Sequence, residues 1–291
     1  MNNLSNISTI QNLLKVHGFS FSKKLGQNFL INPTVCPRMA DMCGISQHTG
    51  VIEIGPGIGV LSVELAKRAQ KLVCIEIDER LKPILGQTLD SCSNTSVIFG
   101  DVLELDLHKI ISDNFNGMDV VVCANLPYYI TTPIIMKLLE ERLPIKSITV
   151  MVQKEAAARL CALPATRDVG AVTISLRYYC EPKILFGVSR GSFMPAPDVD
   201  SSVIRLDILD KPAVSVTDEK MFSRVVKACF STRRKTVLNC LCNNFSLSKT
   251  ELSDLLIASG VSPSARAEQL TMEQFGMLAN TFAEAVGQQK N

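Results

Sequence analysis

Short apolar runs alternate, through the first half of the chain, with stretches in which apolar side chains recur every three or four positions. The runs have the length of buried strands, and the periodic stretches predict amphipathic helices. Strand and helix in regular alternation are typical of a parallel sheet covered by helices on both faces. The predicted strands span residues 51–54, 72–75, 96–99, 120–124, 148–152, 172–178, 184–188 and 202–206.

The pattern changes to helix alone after a polar linker around residues 211–212. We therefore predict an N-terminal extension over residues 1–22, an α/β domain over 23–210 and a small all-helical domain over 211–291. The extension contains one predicted helix, and Asn32 and Thr132 are the predicted N-caps of two further helices. Predicted helices outside the sheet domain span residues 7–16, 221–243, 249–259 and 272–286.

Composition is that of a soluble globular protein, with 291 residues, 46% hydrophobic residues and a net charge of +2. The ten cysteines are scattered and form no Cys-x-x-Cys pair, and there are three histidines, so no metal site is expected. Buried free thiols in a reducing cytosol fit this usage better than disulfides. With neither a signal peptide nor a membrane span in the sequence, we expect a cytoplasmic protein.

A glycine turn follows the first strand of the sheet domain. Gly55-Pro-Gly-Ile-Gly59 lies between a strand and a helix, the place of a nucleotide-binding turn. Dinucleotide enzymes have G-x-G-x-x-G, whereas here the third glycine comes one position early and Val60 takes its place. Glu53 would also repel a pyrophosphate. The pattern is better matched to a cofactor that carries positive charge, such as S-adenosylmethionine.

Two further acids follow the next two strands. Glu76 comes about 20 residues after the glycine turn, where an acid can accept both ribose hydroxyls. Asp101 follows the third strand and is placed to accept from an adenine amino group. Each acid alone could cap a helix, but three acids at successive strand ends beside a glycine turn favour a nucleoside-binding site.

The fourth strand ends in Asn125-Leu126-Pro127-Tyr128, followed by Tyr129. Proline cannot donate to a sheet ladder, so the strand stops there. In open α/β sheets ligands bind beyond the carboxyl ends of the strands. A carboxamide next to a flat ring suits a planar nitrogen heterocycle. The alternative is an ordinary polar strand end with a core tyrosine.

Phe193 begins a proline-rich segment, residues 193–201, that we expect to be stiff and to hold this phenylalanine in the open. Basic residues cluster in two places, and either cluster could be a solvated surface. Opposite an exposed aromatic and a base-sized pocket, phosphate contact is the better interpretation. The candidate RNA-binding residues are Lys23, Lys24, Arg224, Lys227, Arg233, Arg234 and Lys235.

These motifs, in this order, resemble the ribosomal RNA adenine dimethyltransferases, and specifically the bacterial small-subunit branch. The glycine turn is shared with many methyltransferases, while the Asn-Leu-Pro-Tyr and Phe-x-Pro-x-Pro motifs are more selective. The resemblance runs from about Lys23 through the C-terminal helices. The matching segments are Leu25–Leu30, Glu53–Gly59, Glu76–Asp78, Gly100–Asp101, Asn125–Tyr129 and Phe193–Val199.

The resemblance implies an S-adenosylmethionine site and transfer of four methyl groups to two adjacent adenosines in a hairpin loop near the 3′ end of small-subunit rRNA. It implies that the target adenine stacks between Tyr128 and Phe193. We hypothesise that the Asn125 side-chain oxygen and the Leu126 carbonyl accept the hydrogens of the adenine amine. The candidate cofactor-binding residues are Asn28, Leu30, Gly55, Gly57, Glu76, Ile77, Asp101, Val102 and Asn125. The expected partner is rRNA within an immature 30S particle, with the protein acting as a monomer.

Three alternatives stay open from the sequence. The related enzymes that methylate large-subunit rRNA usually have Ser and Ile where this chain has Gly26 and Leu126. A non-catalytic ribosome-assembly factor on a retained scaffold is disfavoured by the intact acids and glycines. A nicotinamide-dependent oxidoreductase is disfavoured by Val60 and by the lack of a proton-shuttling histidine near the strand ends.

Overall fold

The computed structural model describes residues 4–20 and 26–288. The chain divides into two compact units, one of residues 1–157 with 183–208 and the other of residues 158–182 with 209–291. The strands are β1 (Phe29–Leu30), β2 (Thr49–Ile54), β3 (Lys71–Glu76), β4 (Thr95–Phe99), β5 (Asp119–Asn125), β6 (Ser147–Gln153), β7 (Cys180–Val188), β8 (Phe193–Met194) and β9 (Ser201–Ile208). The α-helices are α1 (Ile7–Val16), α2 (Val35–Met42), α3 (Val60–Ala66), α4 (Lys82–Thr88), α5 (Leu107–Asn114), α6 (Thr131–Glu140), α7 (Lys154–Leu160), α8 (Ala171–Tyr179), α9 (Glu219–Cys229), α10 (Val237–Cys242), α11 (Lys249–Ala258) and α12 (Met272–Gln288).

The first unit is built on a seven-stranded sheet with the order β4-β3-β2-β5-β6-β9-β7. The strands from β4 to β6 run parallel, and β9 is antiparallel to β6. The chain order reverses between β2 and β5, which pair in register from Thr49 opposite Asp119 to Ile54 opposite Ala124. Both strands therefore end side by side at the point where α/β sheets bind ligands.

The predicted strand over residues 172–178 is wrong, because this segment forms helix α8. Its β-branched and aromatic residues favour a strand by local preference. However, the Thr173 hydroxyl accepts from the Gly170 N–H at 3.1 Å and caps the helix start. Ile174 and Tyr178 are buried in the apolar core of the helical unit, and the Tyr178 ring stacks on Phe222 with centroids 4.5 Å apart. Tertiary packing thus overrides strand propensity, and residues 158–182 lie with the helical unit.

The predicted helix over residues 221–243 is two helices, α9 and α10, joined by a loop at residues 230–236. Thr236 starts the second helix, since its hydroxyl accepts from the Asn239 N–H at 3.4 Å. The basic triplet at residues 233–235 consequently lies on a loop and not on a helix. The predicted helices at 7–16, 249–259 and 272–286 are confirmed within two residues at each end.

Two predicted helix starts are wrong by a few residues. Helix α2 begins at Val35, and Asn32 instead accepts from the Thr34 N–H at 3.0 Å in the preceding turn. Helix α6 begins at Thr131, whose hydroxyl donates to the Pro127 carbonyl at 3.0 Å. This bond fastens the turn after β5 to the helix that follows it.

The ten cysteines are free thiols, seven of them buried and three partly so. Among residues 4–20 and 26–288, no helix is long and apolar enough to cross a membrane. The same residues contain no group of three His, Cys, Asp or Glu side chains placed to hold a metal ion.

Candidate active site

One cavity lies at the carboxyl ends of the parallel strands, within the first unit. Every predicted cofactor-binding and catalytic residue lines it, although these residues come from segments up to 165 positions apart. Those residues are Asn28, Leu30, Gly55, Gly57, Glu76, Ile77, Asp101, Val102, Asn125, Leu126, Tyr128 and Phe193.

The glycine turn forms the floor of the cavity. Gly55, Gly57 and Gly59 have backbone φ values of 70°, 58° and 90°, a region that residues other than glycine rarely adopt. A Cβ on Gly57 would lie 3.1 Å from the Phe29 ring, whereas one on Gly55 would meet no atom of the described residues within 4 Å. The open space at Gly55 belongs to the cavity, so a ligand can approach the backbone closely there.

Glu76 is held by the backbone around it. Its two carboxyl oxygens accept from the Gly57 N–H at 3.2 Å and from the Asp78 N–H at 2.9 Å. Burial, at 5% exposure, raises the pKa of Glu76, while these two bonds oppose that effect. The carboxyl group is fixed in one orientation at the cavity wall, with lone pairs left to accept hydroxyl hydrogens.

Asp101 is placed at the turn after β4. One oxygen of its carboxyl group accepts from the Leu103 N–H at 2.9 Å, and its carbonyl accepts from the N–H groups of Glu104 and Leu105. The residue therefore starts a turn and also lines the cavity. The alternative that Asp101 caps a helix is wrong, because α5 begins at Leu107 and its N-cap is Asp106.

Glu53 is withdrawn into the core beneath the glycine turn. The side chain is 1% exposed, and burial raises the pKa of Glu53 to about 7. The Cys74 thiol donates to its carboxyl group at 3.4 Å and offsets part of the burial effect. From the sequence, Glu53 is expected to carry a full negative charge, but in the structure much of this charge is lost near neutral pH.

The segment before β1 closes one side of the cavity. The Gln27 amide donates to Asp78 Oδ2 at 2.8 Å, and the Asn28 amide donates to the Gly26 carbonyl at 3.0 Å. Strand β1 then pairs antiparallel with β8, so that Leu30 lies opposite Phe193. Sequence reasoning missed this pairing because a two-residue strand carries no periodic pattern.

Asn125 and Tyr128 extend from the end of β5 into the cavity. The Asn125 Nδ2 donates to the Asn28 carbonyl at 3.4 Å, which leaves its side-chain oxygen as an acceptor. The Tyr128 hydroxyl lies 2.7 Å from the Ser201 hydroxyl, and burial raises the pKa of Tyr128. Ser201 carries no sequence signal, and only the pairing of β9 with β6 brings it here.

Phe193 lines the cavity, but the expectation that the proline-rich segment holds it in the open is wrong. Its side chain is 3% exposed, since β8 pairs with β1 and the ring joins the apolar core of the first unit. The sequence pattern correctly marks an extended backbone but cannot show which strand covers it.

The predicted RNA-binding residues fall into three groups. Lys23 and Lys24 lie outside the described residues. Arg224 and Lys227 are exposed on α9, with the Arg224 guanidinium 4.3 Å from the Phe245 ring centroid and 3.3 Å from the Asn244 carbonyl. The triplet at 233–235 is exposed in a concave surface of the helical unit. The basic residues that line this basic hollow are Arg159, Arg167, Arg233, Arg234, Lys235 and Arg266.

The sheet order, the glycine turn at the switch point and the acids at successive strand ends define a class I methyltransferase with a Rossmann-like fold. A sequence profile of the ribosomal RNA adenine dimethylase family matches residues 18–284. The chain belongs to this family.

Relatives in the family match the chain almost end to end. One from Alkaliphilus oremlandii is 48% identical over 285 residues, covering 98% of this chain and 99% of the relative. Another, from Geobacillus thermodenitrificans, is 50% identical over 274 residues, covering 93% and 94%. Both are named ribosomal RNA small subunit methyltransferase A.

Two solved structures share the fold over 88% of this chain. A dimethyladenosine transferase from Plasmodium falciparum is 27% identical, with a TM-score of 0.72 and 98% of its chain covered. The 23S rRNA methyltransferase ErmE is 25% identical, with a TM-score of 0.66 and all of its chain covered. Identity to the small-subunit relatives is thus about twice that to the large-subunit enzyme.

Proposed function

We propose that this protein transfers methyl groups from S-adenosylmethionine to the exocyclic amines of two adjacent adenosines near the 3′ end of small-subunit rRNA, dimethylating each within an immature 30S particle. The observation that carries the proposal is the orientation of Asn125. Its amide nitrogen is bonded to Asn28, and its oxygen is free to accept, in the same cavity as Glu76 and Asp101. Identity to relatives named for the small subunit supports the choice of subunit.

The residues of the cavity fit the proposed cofactor. Glu76 would accept the ribose hydroxyls, Asp101 would accept from the adenine amino group, and the bare backbone at Gly55 leaves room for the chain that carries the sulfur. When bound, the cofactor supplies an electrophilic methyl group. Ile77 and Val102 also line the cavity and would provide apolar surface for the adenine ring.

On the acceptor side, the residues of this chain would orient a weak nucleophile, the exocyclic amine of the target adenine. The lone pair of the adenine amine is delocalised into the ring. Acceptance of its hydrogens by the Asn125 oxygen and the Leu126 carbonyl would favour a pyramidal nitrogen with the lone pair directed at the methyl group. None of the described residues that line the cavity is a histidine, and the step needs none, because the proton can leave the nitrogen after attack. Positioning then supplies most of the acceleration.

Tyr128 is expected to act through its ring and not through its hydroxyl. Tyr128→Ala should lower kcat/KM about tenfold to a hundredfold, because base–aromatic stacking contributes about 1–3 kcal/mol per base. Tyr128→Phe keeps the ring and loses only the bond to Ser201, so its kcat/KM should stay within about threefold of wild type. Steady-state methylation of small-subunit particles measures both values. A Phe variant as slow as the Ala variant would contradict stacking.

The charge of the basic hollow in the helical unit favours binding of RNA phosphates there. Six arginine and lysine side chains line it, against the two acids Asp168 and Glu268. Replacing the loop triplet at 233–235 with glutamines should weaken RNA binding about tenfold and reduce the slope of log K against log salt by about two to three. Binding measured across a salt series tests this. As a control, three positive charges are removed from the other unit by Lys109→Gln, Lys146→Gln and Lys183→Gln. This variant should leave the slope of log K against log salt unchanged.

The function itself is tested by mass spectrometry of nucleosides from immature small subunits incubated with the protein and the cofactor. Dimethyladenosine at two adjacent positions is the expected product. Incorporation into protein-free large-subunit rRNA, with none into small subunits, would support the macrolide-resistance type instead. If calorimetry detected no binding of S-adenosylmethionine, a non-catalytic assembly factor would become the better interpretation.

A further inference from the structure

Tyr129 is the second tyrosine after Pro127, and the function proposed above gives it no role. It lines the same cavity as Asn125 and Tyr128, yet 61% of it is exposed. An aromatic side chain contributes to folding chiefly by burial, and this one is mostly in solvent. The position of Tyr129 at the cavity rim is therefore not explained by core packing.

The Tyr129 ring nevertheless has a neighbour along one edge. A Cβ on Gly26 would lie 3.4 Å from Cε1 and 3.5 Å from Cδ1 of this ring, so the ring lies beside Gly26 with room for little more than one methyl group between them. The backbone beneath it is also fixed, because the Ile130 N–H donates to the Pro127 carbonyl at 3.2 Å and closes a turn. A supported ring with solvent around the rest of it is suited to stack a ligand at little cost in conformational entropy.

The two tyrosines face different surroundings. Tyr128 is half-buried and tied to Ser201 on strand β9, whereas Tyr129 leans toward Gly26 on the segment that precedes β1. One turn thus presents one ring inside the cavity and the next ring at its mouth. When one base of an RNA strand enters a pocket, the next base stays outside and loses its stacking partner. Two successive bases are then placed as the two tyrosine rings are, one inside the cavity and one at its mouth.

We propose that Tyr129 stacks on the nucleotide that flanks the target adenosine, and so replaces the stacking that this nucleotide loses when the target leaves the strand. This inference rests on the proposed function, in which the flanking nucleotide is the second adenosine. Every base has a π-face, so the contact positions the strand without reading its sequence. Tyr129 is accordingly a positioning residue that contacts substrate, and it takes no part in methyl transfer.

The test combines protein variants with altered RNA. Small-subunit particles carry either the natural pair of adenosines or one target adenosine next to an abasic residue, prepared with the abasic residue on the 5′ or the 3′ side. On natural RNA, Tyr129→Ala should lower kcat/KM about tenfold, and Tyr129→Phe should stay within about twofold. On the RNA whose abasic residue replaces the nucleotide that stacks on Tyr129, kcat/KM of the wild-type protein should fall by the same factor. Tyr129→Ala should show no further decrease in kcat/KM on this RNA.

A purely structural role for Tyr129 would give different results. The ring lies beside Gly26, whose carbonyl accepts from the Asn28 amide, so a packing defect should weaken cofactor binding. Stacking alone should leave the calorimetric Kd of Tyr129→Ala within about twofold of wild type. Ile257→Ala removes an equally exposed apolar side chain and should change neither value.

An equal loss on natural RNA and on both abasic RNAs would overturn the inference. The proposed function fails separately, if the wild-type protein does not methylate natural small-subunit particles.

Discussion

Asn125→Ala should lower kcat by a factor of about 10²–10³, the range found when one preorganised hydrogen-bonding group is removed from an active site. The variant loses the side-chain oxygen that would accept from the adenine amine and leaves the Leu126 carbonyl as the remaining acceptor. The lone pair is then less well aimed at the methyl group. Single-turnover methylation at saturating RNA and cofactor measures this step directly.

Two further variants distinguish orientation of the adenine amine by Asn125 from a general effect of the substitution on packing. Asn125→Asp keeps an acceptor oxygen but loses the Nδ2 bond to the Asn28 carbonyl, so its rate should lie between wild type and Asn125→Ala. Asn114→Ala removes a carboxamide that donates to the Ile110 carbonyl at 3.0 Å, outside the cavity, and should leave the rate unchanged. A rate for Asn125→Ala within twofold of wild type would exclude the proposed positioning by this amide.

Glu53→Gln should stabilise the protein, and the gain should grow with pH. The folded-state pKa of Glu53 is about 7 against an ordinary value of 4.5, so the folded protein keeps a proton that the unfolded chain releases. The wild-type protein therefore loses stability as pH rises from 4.5 to 7. Glutamine does not titrate, and its advantage in free energy of unfolding should be about 1 kcal/mol at pH 5 and about 3 kcal/mol at pH 8.

Denaturant unfolding at the two pH values measures the difference. Glu155→Gln, an exposed position on α7, serves as the matched control and should stay within about 0.5 kcal/mol of wild type at both. A Glu53→Gln variant that is less stable than wild type at pH 8 would mean that a favourable interaction holds the Glu53 carboxylate in the folded protein and that burial does not raise its pKa.

Several features were predictable because each depends on neighbours in sequence. Gly55, Glu76 and Asn125 stand directly after apolar runs, and parallel strands bring such ends to one edge of a sheet. The burial of Phe193 depends on a two-residue strand pair between segments 163 positions apart, which leaves no local signal. The strand pattern at residues 172–178 is misleading for a related reason, since contacts of Tyr178 with distant residues decide the conformation of α8.

The helical unit is formed by two separate stretches of the chain, and this limits how the protein can be divided into fragments. A fragment that starts at the polar linker near residue 211 would lack α8. Phe222 would lose the ring that stacks on it, and the apolar surface facing Ile174 and Val169 would be open to water. An excised C-terminal piece is therefore expected to be prone to aggregation, whereas a graft that also carries residues 158–182 would retain the complete core.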